Sequence, residues 1–388
     1  MDAVLRMFNN NHPYEEILEQ LRHHHQIDVS LSTLKRWLRG NNMRRRPLQH
    51  NRSRYSTVVS SVAKELQGSG SRIGYRRVFK SLCNKGILCR RDDVRKILKV
   101  LDVEGVRLRK RRRLHKRKYR STGPNHAWHI DGHDKLKPYG FSIHGCIDGF
   151  SRKLLWLEVE ISNKKPEIIA NYYLRAVKQA GGIPYKLKAD NGTEHAQIEP
   201  MHQHLTLLNR DDPESFSIIP STSNQRIEGF WSKLERDRIG WWRAFLKDLS
   251  DMGLLSSDPA LIEAARYCFM HLIREELRNI MDDHNGHIIP YGRNGCGPYG
   301  RPDSMYDLPH LYGDFADRLV RIDNLENEVA DLEECAPINL QDYTDEFKQF
   351  ALLAMEEDGI SHIVPDDVEN ASLLYLYFLL KVKMLSRL

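Results

Sequence analysis

Three observations predict a mixed α/β protein with an all-helical, basic front end and an acidic helical tail. From residue 127 onward the apolar pattern breaks into five short β-rich runs interleaved with helical stretches. Upstream, apolar residues recur at helical spacing and the chain is strongly basic. Downstream of about residue 311 helical stripes return and the charge changes sign.

The 388 residues suffice for two or three domains and a sizeable core. A hydrophobic content of 40% with 29% charged residues fits a soluble globular chain, and no 18-residue apolar run offers a membrane span. Glu15, Glu16 and Glu19 near the start, without an apolar stretch, do not resemble a secretory signal. Six scattered cysteines without a CxxC pair argue against a disulfide framework and for a reducing compartment. The formal charge of +7 conceals an imbalance: residues 1–120 hold 31 Lys and Arg against 10 Asp and Glu. Such a segment suits a polyanion, most often nucleic acid. An anionic membrane surface is the rival, but it usually requires an amphipathic apolar face or a lipid anchor.

The first unit, residues 1–46, contains two short helices within 13–39. Ile17, Leu18 and Leu21 stripe one; Leu31, Leu34, Trp37 and Leu38 stripe the other, with Ser30 or Ser32 suited to cap it. The second helix carries Lys35, Arg36 and Arg39 and leads to Arg44, Arg45 and Arg46. A helix-turn-helix lays such a helix in the DNA major groove; an ordinary hairpin with a solvated basic face uses the same residues. A second helical unit, 52–104, has Val58, Val59, Val62, Ala63 and Leu66 on one stripe and a break at Gly68-Ser69-Gly70. It continues through 72–82, with Arg76 and Arg77, to a last helix at 90–101 opened by Asp92 and Asp93. This order is similar to a winged or three-helix DNA-binding module. In the linker 105–123, residues 107–120 are ten parts basic in fourteen and include Lys110, Arg111, Arg112 and Arg113. The run reads as a solvated linker, as a sequence-blind phosphate clamp, or as a nuclear localisation signal, and these readings are compatible.

The core, 124–245, opens after Gly123-Pro124. Its strands are expected at 127–133, 140–148, 153–161, 185–190 and 215–220, and its helices at 164–180, between the last two strands, and from Ser223 through Trp231 and Leu234. Residues 246–310 read as helix to about 288 and then as a Gly/Pro-rich loop. Residues 311–388 hold 17 acidic and 6 basic residues, with helical stripes at 347–355 and 373–382. This tail either packs on the core, self-associates or masks the basic half.

Three acids carry the candidate chemistry. Alternation in Trp128-His129-Ile130-Asp131 sets His129 and Asp131 on the face opposite Trp128 and Ile130. Asp190 ends a strand before an Asn191-Gly192 turn, and Glu228 lies about one turn into a helix. Convergence at one sheet edge would give three hard oxygen ligands suited to Mg²⁺ or Mn²⁺ and to two-metal phosphoryl transfer. Taken singly, an Asp after a strand caps a turn and a Glu on a helix is solvated.

WHID (128–131), IDGFSRK (147–153), ADNGTE (189–194) and SNQRIEGFWSKL (223–234) resemble, in order, the signature segments of the integrase core domain. That is the D-D-E transposase and retroviral integrase superfamily, with a ribonuclease H-like fold, and the likeness is nearest to animal integrase-core-domain proteins. It covers about 120–240, and GYRR (74–77) in the helical unit upstream looks like the arrangement in bacterial insertion-sequence transposases. The resemblance implies Asp131, Asp190 and Glu228 as catalytic metal ligands, two Mg²⁺ or Mn²⁺ ions when DNA is bound, and cleavage of DNA ends with transfer of a 3′-hydroxyl. It also implies a homo-oligomer on paired DNA ends and, for an animal protein, the nucleus; in a bacterium the location would be cytoplasmic. Asp148, in the second segment, normally stands outside the triad and is expected to be structural or substrate-orienting, with Arg152 supporting it or DNA.

The sequence departs from the family in places. Asp190 and Glu228 enclose 37 residues, slightly more than in many relatives. Ser232 and Glu235 stand where retroviral integrases often place lysines; Lys233, Arg236 and Arg238 offer basic alternatives on other faces. The His/Cys zinc domain of those enzymes is missing: His23, His24 and His25 have no Cys pair, and His284, His287 and Cys296 form a poor constellation, so no zinc is expected. GxSxG and P-loop motifs are absent, so neither a serine nucleophile nor a nucleotide cofactor is expected, and no membrane partner. Trp231, Trp241 and Trp242 suit core packing first and base stacking second. Two other functions remain open on sequence: a domesticated, non-catalytic DNA-binding or chromatin protein, and a nuclease that cleaves without joining.

Overall fold

The computed structural model describes residues 2–9, 12–41, 43, 53, 55–67, 73–103, 105–106, 119, 121–220, 223–290, 298–336, 341–360 and 365–385. The chain forms two compact units: Met1–Arg120 with Glu235–Trp241 and Asp283–Ala316, and Ser121–Leu234 with Trp242–Asp282 and Asp317–Leu388.

The first unit is helical. Helices α1 (Asp2–Asn9), α2 (Tyr14–His25) and α3 (Leu31–Gly40) bury Val4, Phe8, Ile17, Leu21, Leu34 and Leu38 together. Gln26 leaves α2 in the left-handed region at φ 53°, and the Ser30 side chain accepts from the Thr33 N–H at 3.2 Å to cap α3. Of the two serines suited to that cap, Ser30 is the one used. Helices α4 (Tyr55–Glu65), α5 (Tyr75–Asn84) and α6 (Arg91–Leu101) close on Val58, Val62, Ile73, Val78, Leu82 and Val94. The region expected to be an irregular loop before residue 310 contains a bridge between Ile289 and Gly300, a short helix Pro302–Asp307 and a 3₁₀ turn Pro309–Tyr312.

The second unit holds a mixed five-stranded sheet flanked by helices. Strands β1 (Ala127–His133), β2 (Ser142–Asp148), β3 (Leu154–Glu160), β4 (Lys186–Ala189) and β5 (Phe216–Ile218) lie in the order β3-β2-β1-β4-β5. The first three are antiparallel neighbours, whereas β4 runs parallel to both β1 and β5. A parallel neighbour needs a crossover, and helix α7 (Pro166–Ala180) supplies it between β3 and β4. Helix α8 (Ile198–Leu207) occupies the expected place between β4 and β5. One sheet face presents Trp128, Ile130, Cys146, Trp156 and Leu187 to a core shared with α7 and α8. The other receives α9 (Gln225–Leu234), which packs on β1 and β2.

Helices α10 (Gly240–Asp251) and α11 (Pro259–Asn285) follow, and the acidic tail supplies α12 (Leu325–Glu334), α13 (Asp345–Glu357) and α14 (Val368–Leu385). Of the three readings of the tail, packing on the core is visible. Val329 enters the sheet core, Asn171 donates to the Ala336 carbonyl at 2.7 Å, and Lys178 pairs with Glu333 at 2.7 Å. Tyr267 of α11 packs with Phe347 and Phe378 of the last two helices. Among the described residues no helix is long and apolar enough to cross a membrane.

The second unit also buries histidines. Burial holds His129, His133 and His202 down to about 4, with positive charges on Lys188 and Arg226 lowering His129 further against the Asn224 hydrogen bond. His144 is held well below the ordinary range by burial alone, before the nearby His195 adds to it. A depressed imidazole stabilises the fold fully above its unfolded value, near 6.5, and that stability disappears as pH falls toward 4. Each of the three is worth about 3 kcal/mol at the acid limit. In an Asp131→Asn background, which removes the opposing titration of a buried carboxyl raised to about 7, urea midpoints are therefore expected to hold steady above pH 7 and to fall steeply between pH 6.5 and 4.5. A flat profile there would show these imidazoles to be solvated.

Candidate active site

The topology brings the three acids together. Parallel pairing sets His129 beside Lys188, so continuing the same register by two residues places Asp131 alongside Asp190 at one end of the sheet. Glu228 arrives on α9, whose approach is fixed by Asn224. That side chain donates to the Ile130 carbonyl at 3.0 Å and meets the His129 ring nitrogen at 2.6 Å. Trp231, three residues beyond Glu228 and so on the same side of the helix, donates its indole N–H to Asp131 Oδ2 at 2.9 Å. Gly145, opposite Asp131 in the β1–β2 register, makes room: a Cβ there would lie 2.8 Å from the Trp231 ring.

The charges at this end are uncompensated by one another. Asp131 is 7% exposed, and its carboxyl is pushed up to about 7, chiefly by burial, then by the charge of Asp190 and to a lesser degree of Glu228. The Trp231 and Gly132 N–H bonds oppose this only in part. Glu228 is raised by burial and then by Asp190. Like charges gathered in a partly buried space raise one another, and a divalent cation removes the penalty.

The 3₁₀ turn Thr193–His195 curls back behind Asp190. Ligand atoms of Asp190, Glu194 and His195 lie within 4.8 Å of one another. His195 Nδ1 is 3.7 Å from Asp190 Oδ1, too far for a hydrogen bond, and both His195 ring nitrogens and Asp190 Oδ1 are buried with no hydrogen-bond partner. Buried polar atoms left without partners mark a place for an absent group, and carboxylate oxygens suit Mg²⁺ or Mn²⁺. The residues therefore fit the implied cation. Asp131 and Glu228 couple to Asp190 through charge but stand outside that tight group. Glu194 and His195 were not singled out in the sequence; their signal is closeness to the Asn191-Gly192 turn that reverses the chain at Asp190.

Asp148 is structural. It is fully buried, with Oδ1 accepting from Asn125 N–H at 2.8 Å and Oδ2 from the N–H groups of Phe150 and Ser151 and the Ser151 hydroxyl. Burial raises its carboxyl, and these bonds pull it back. Arg152 sits in the left-handed region at φ 65° beside it, and burial followed by the charge of Arg226 holds its guanidinium down to about 10.

The basic residues named from sequence divide by surroundings. Arg36, Arg39 and Arg76 are exposed, and Lys35 sits 5.1 Å over the Tyr14 ring. Arg77 is engaged instead by Asp237 at 2.9 Å, and burial lowers it against the pull of that partner. It lines a cleft of about 510 Å³ with Tyr75, Arg76, Arg95 and Lys99. Lys233 is half-buried near the end of α9. Arg44, Arg45, Arg46, Lys110, Arg111, Arg112 and Arg113 lie outside the described residues. Trp231 and Trp242 are buried, as core packing requires.

Residues 118–297 match the family model described as Integrase core domain. No curated protein matches the chain.

Two substitutions separate structural from site carboxylates. Asp148→Ala strands four buried donors and is expected to cost about 3 kcal/mol or more. Asp190→Asn removes repulsion and, in chelator, is expected to unfold in no less urea than the wild type. A clear loss in Asp190→Asn would assign Asp190 to the fold instead.

Proposed function

We propose that this chain, whose central segment belongs to the integrase core domain family, is a metal-dependent polynucleotidyl transferase that cuts DNA ends and joins a 3′-hydroxyl to a target strand. The observation that carries this reading is the gathering of Asp131, Asp190 and Glu228 at one sheet end, where the charge of Asp190 raises the carboxyls of both Asp131 and Glu228, with Asp190 Oδ1 left without a partner. Asp131, Asp190 and Glu228 would hold Mg²⁺ or Mn²⁺, with Glu194 and His195 at hand beside Asp190. Held by these residues, such ions would supply activation of a water or hydroxyl and stabilisation of the leaving oxygen in an in-line displacement.

The protein's own contribution is positioning. Trp231 fixes one oxygen of Asp131, and Asn224 fixes the start of the helix that carries Glu228. Neither residue gains or loses a proton in this scheme. Lys35, Arg36, Arg39 and Arg76 in the helical unit, with Arg44 to Arg46 and the run at 107–120, would neutralise DNA phosphates. Lys233 would meet the strand nearest Glu228. Arg77 is better placed to hold Asp237 than to contact DNA. Assembly on paired DNA ends and nuclear import through the basic run belong to the same proposal.

Asp131→Asn, Asp190→Asn and Glu228→Gln are each expected to lower Mn²⁺-dependent plasmid nicking and strand joining by roughly a hundredfold to a thousandfold. DNA affinity should remain within a few-fold. Full activity in any one variant would sink the assignment; nicking without joining would make the protein a nuclease. In a salt titration of DNA binding, Arg36→Ala or Arg39→Ala should reduce the slope of log K against log salt by about 1. An unchanged slope would place DNA elsewhere.

A further inference from the structure

A second set of ligand-type side chains lies wholly within the helical unit. Glu19 and His23 stand one turn apart on α2, and His310 stands in the Pro309–Tyr312 turn. His23 Nε2 is 3.3 Å from Glu19 Oε1, and His310 Nε2 is 3.6 Å from that same oxygen. One ligand atom from each residue lies within 4.8 Å of the other two. In a tetrahedral site with bonds of about 2.0–2.1 Å, neighbouring donors sit about 3.3 Å apart. Two of the three edges therefore already have nearly the length that coordination requires. The 3.6 Å edge is too long for a hydrogen bond, and both rings converge as ion-pair partners on the same carboxylate oxygen.

The surroundings hold these ligands in place. Arg22 binds the other carboxylate oxygen, Oε2, at 2.9 Å and leaves Oε1 turned toward the two rings. Along α2, Glu16 accepts from the Ser304 hydroxyl at 2.7 Å, Gln20 donates to Asp307 at 3.3 Å, and the His24 ring lies 3.2 Å from the Asp307 carbonyl. These contacts fix α2 against residues 304–307 without using any of the three ligands. The His23 and His310 rings, 4.9 Å apart, are both exposed, so an ion has a path in.

We propose that Glu19, His23 and His310 bind one divalent transition metal of the zinc class, with water in the fourth position. Two imidazoles and one carboxylate select such an ion over Mg²⁺, which prefers oxygen alone. Arg22 is the outer partner that orients the carboxylate. The ion ties α2 to the segment that returns to the helical unit, making the stability of this unit depend on metal. The sequence offered no zinc pattern here because the third ligand lies far downstream of the first two.

The test is a titration of the metal-free, full-length protein with Co²⁺ in excess Mg²⁺, read by the visible absorption of tetrahedral Co²⁺, with Zn²⁺ as the displacing ion. One Co²⁺ is expected, displaced by Zn²⁺. His23→Ala, His310→Ala and Glu19→Gln should each weaken binding by about a hundredfold, the upper end of what even outer-sphere changes cost. His25→Ala and Asp190→Asn should leave it unchanged. Circular-dichroism melts of these variants should match the metal-free wild type, so that lost binding is not lost folding. Absence of binding by the wild type, equal affinity in His23→Ala and His310→Ala, or loss confined to Asp190→Asn would overturn the proposal.

Discussion

Helix α9 is held on strand β1 by hydrogen bonds that neither element makes alone, and the site depends on them. Asn224 donates to the Ile130 carbonyl, and its other amide atom meets His129. Trp231 then reaches Asp131 from the same helix. Because these groups are buried, an unmade bond costs the full desolvation of its partners, which makes the docking geometry specific. Gly145 is part of the same constraint, since any side chain there would displace the indole. Glu228 owes its place to this junction, with no contact of its own needed to bring it in.

That precision has an electrostatic cost. The fold sets carboxylates late in a central strand, just past the end of its parallel neighbour and on the helix above, where burial and the charge of Asp190 oppose ionisation of Asp131 and Glu228. The surrounding core compensates elsewhere, through the apolar contacts of α7 and α8 on the opposite face. Asp148 shows the contrast. More deeply buried and only one strand away, it receives four donors and becomes part of the framework, whereas Asp131 receives too few to cancel the neighbouring charge.

The charge imbalance along the chain has a structural side as well. In the acidic tail Lys178–Glu333 is an exposed pair and worth little by itself. Val329, the Asn171 bond to the Ala336 carbonyl, and the Tyr267–Phe347–Phe378 cluster do more to hold these helices down. Arg274 adds a two-pronged grip on Asp342 at 2.7 and 3.0 Å. The tail thus completes the core while leaving its acidic faces to solvent.

The sequence by itself determined the periodic features: five strands, the helices around them, a Ser cap ahead of α3, and the face on which Asp131 lies. Each follows from side-chain alternation, helical spacing or a local hydrogen bond, which operate over a few residues. The three acids were picked out by the resemblance of their segments to the integrase core domain, since taken singly each has an ordinary structural reading. Which residues meet was decided only by tertiary structure. The parallel placement of β4 beside β1 puts Asp190 next to Asp131, and the turn after it adds Glu194 and His195. Packing gives Arg77 to Asp237 and His310 to Glu19. Local patterns encode which way a side chain faces. The identity of its partner depends on strand order and on contacts between residues distant in the chain, and no short-range rule reaches those.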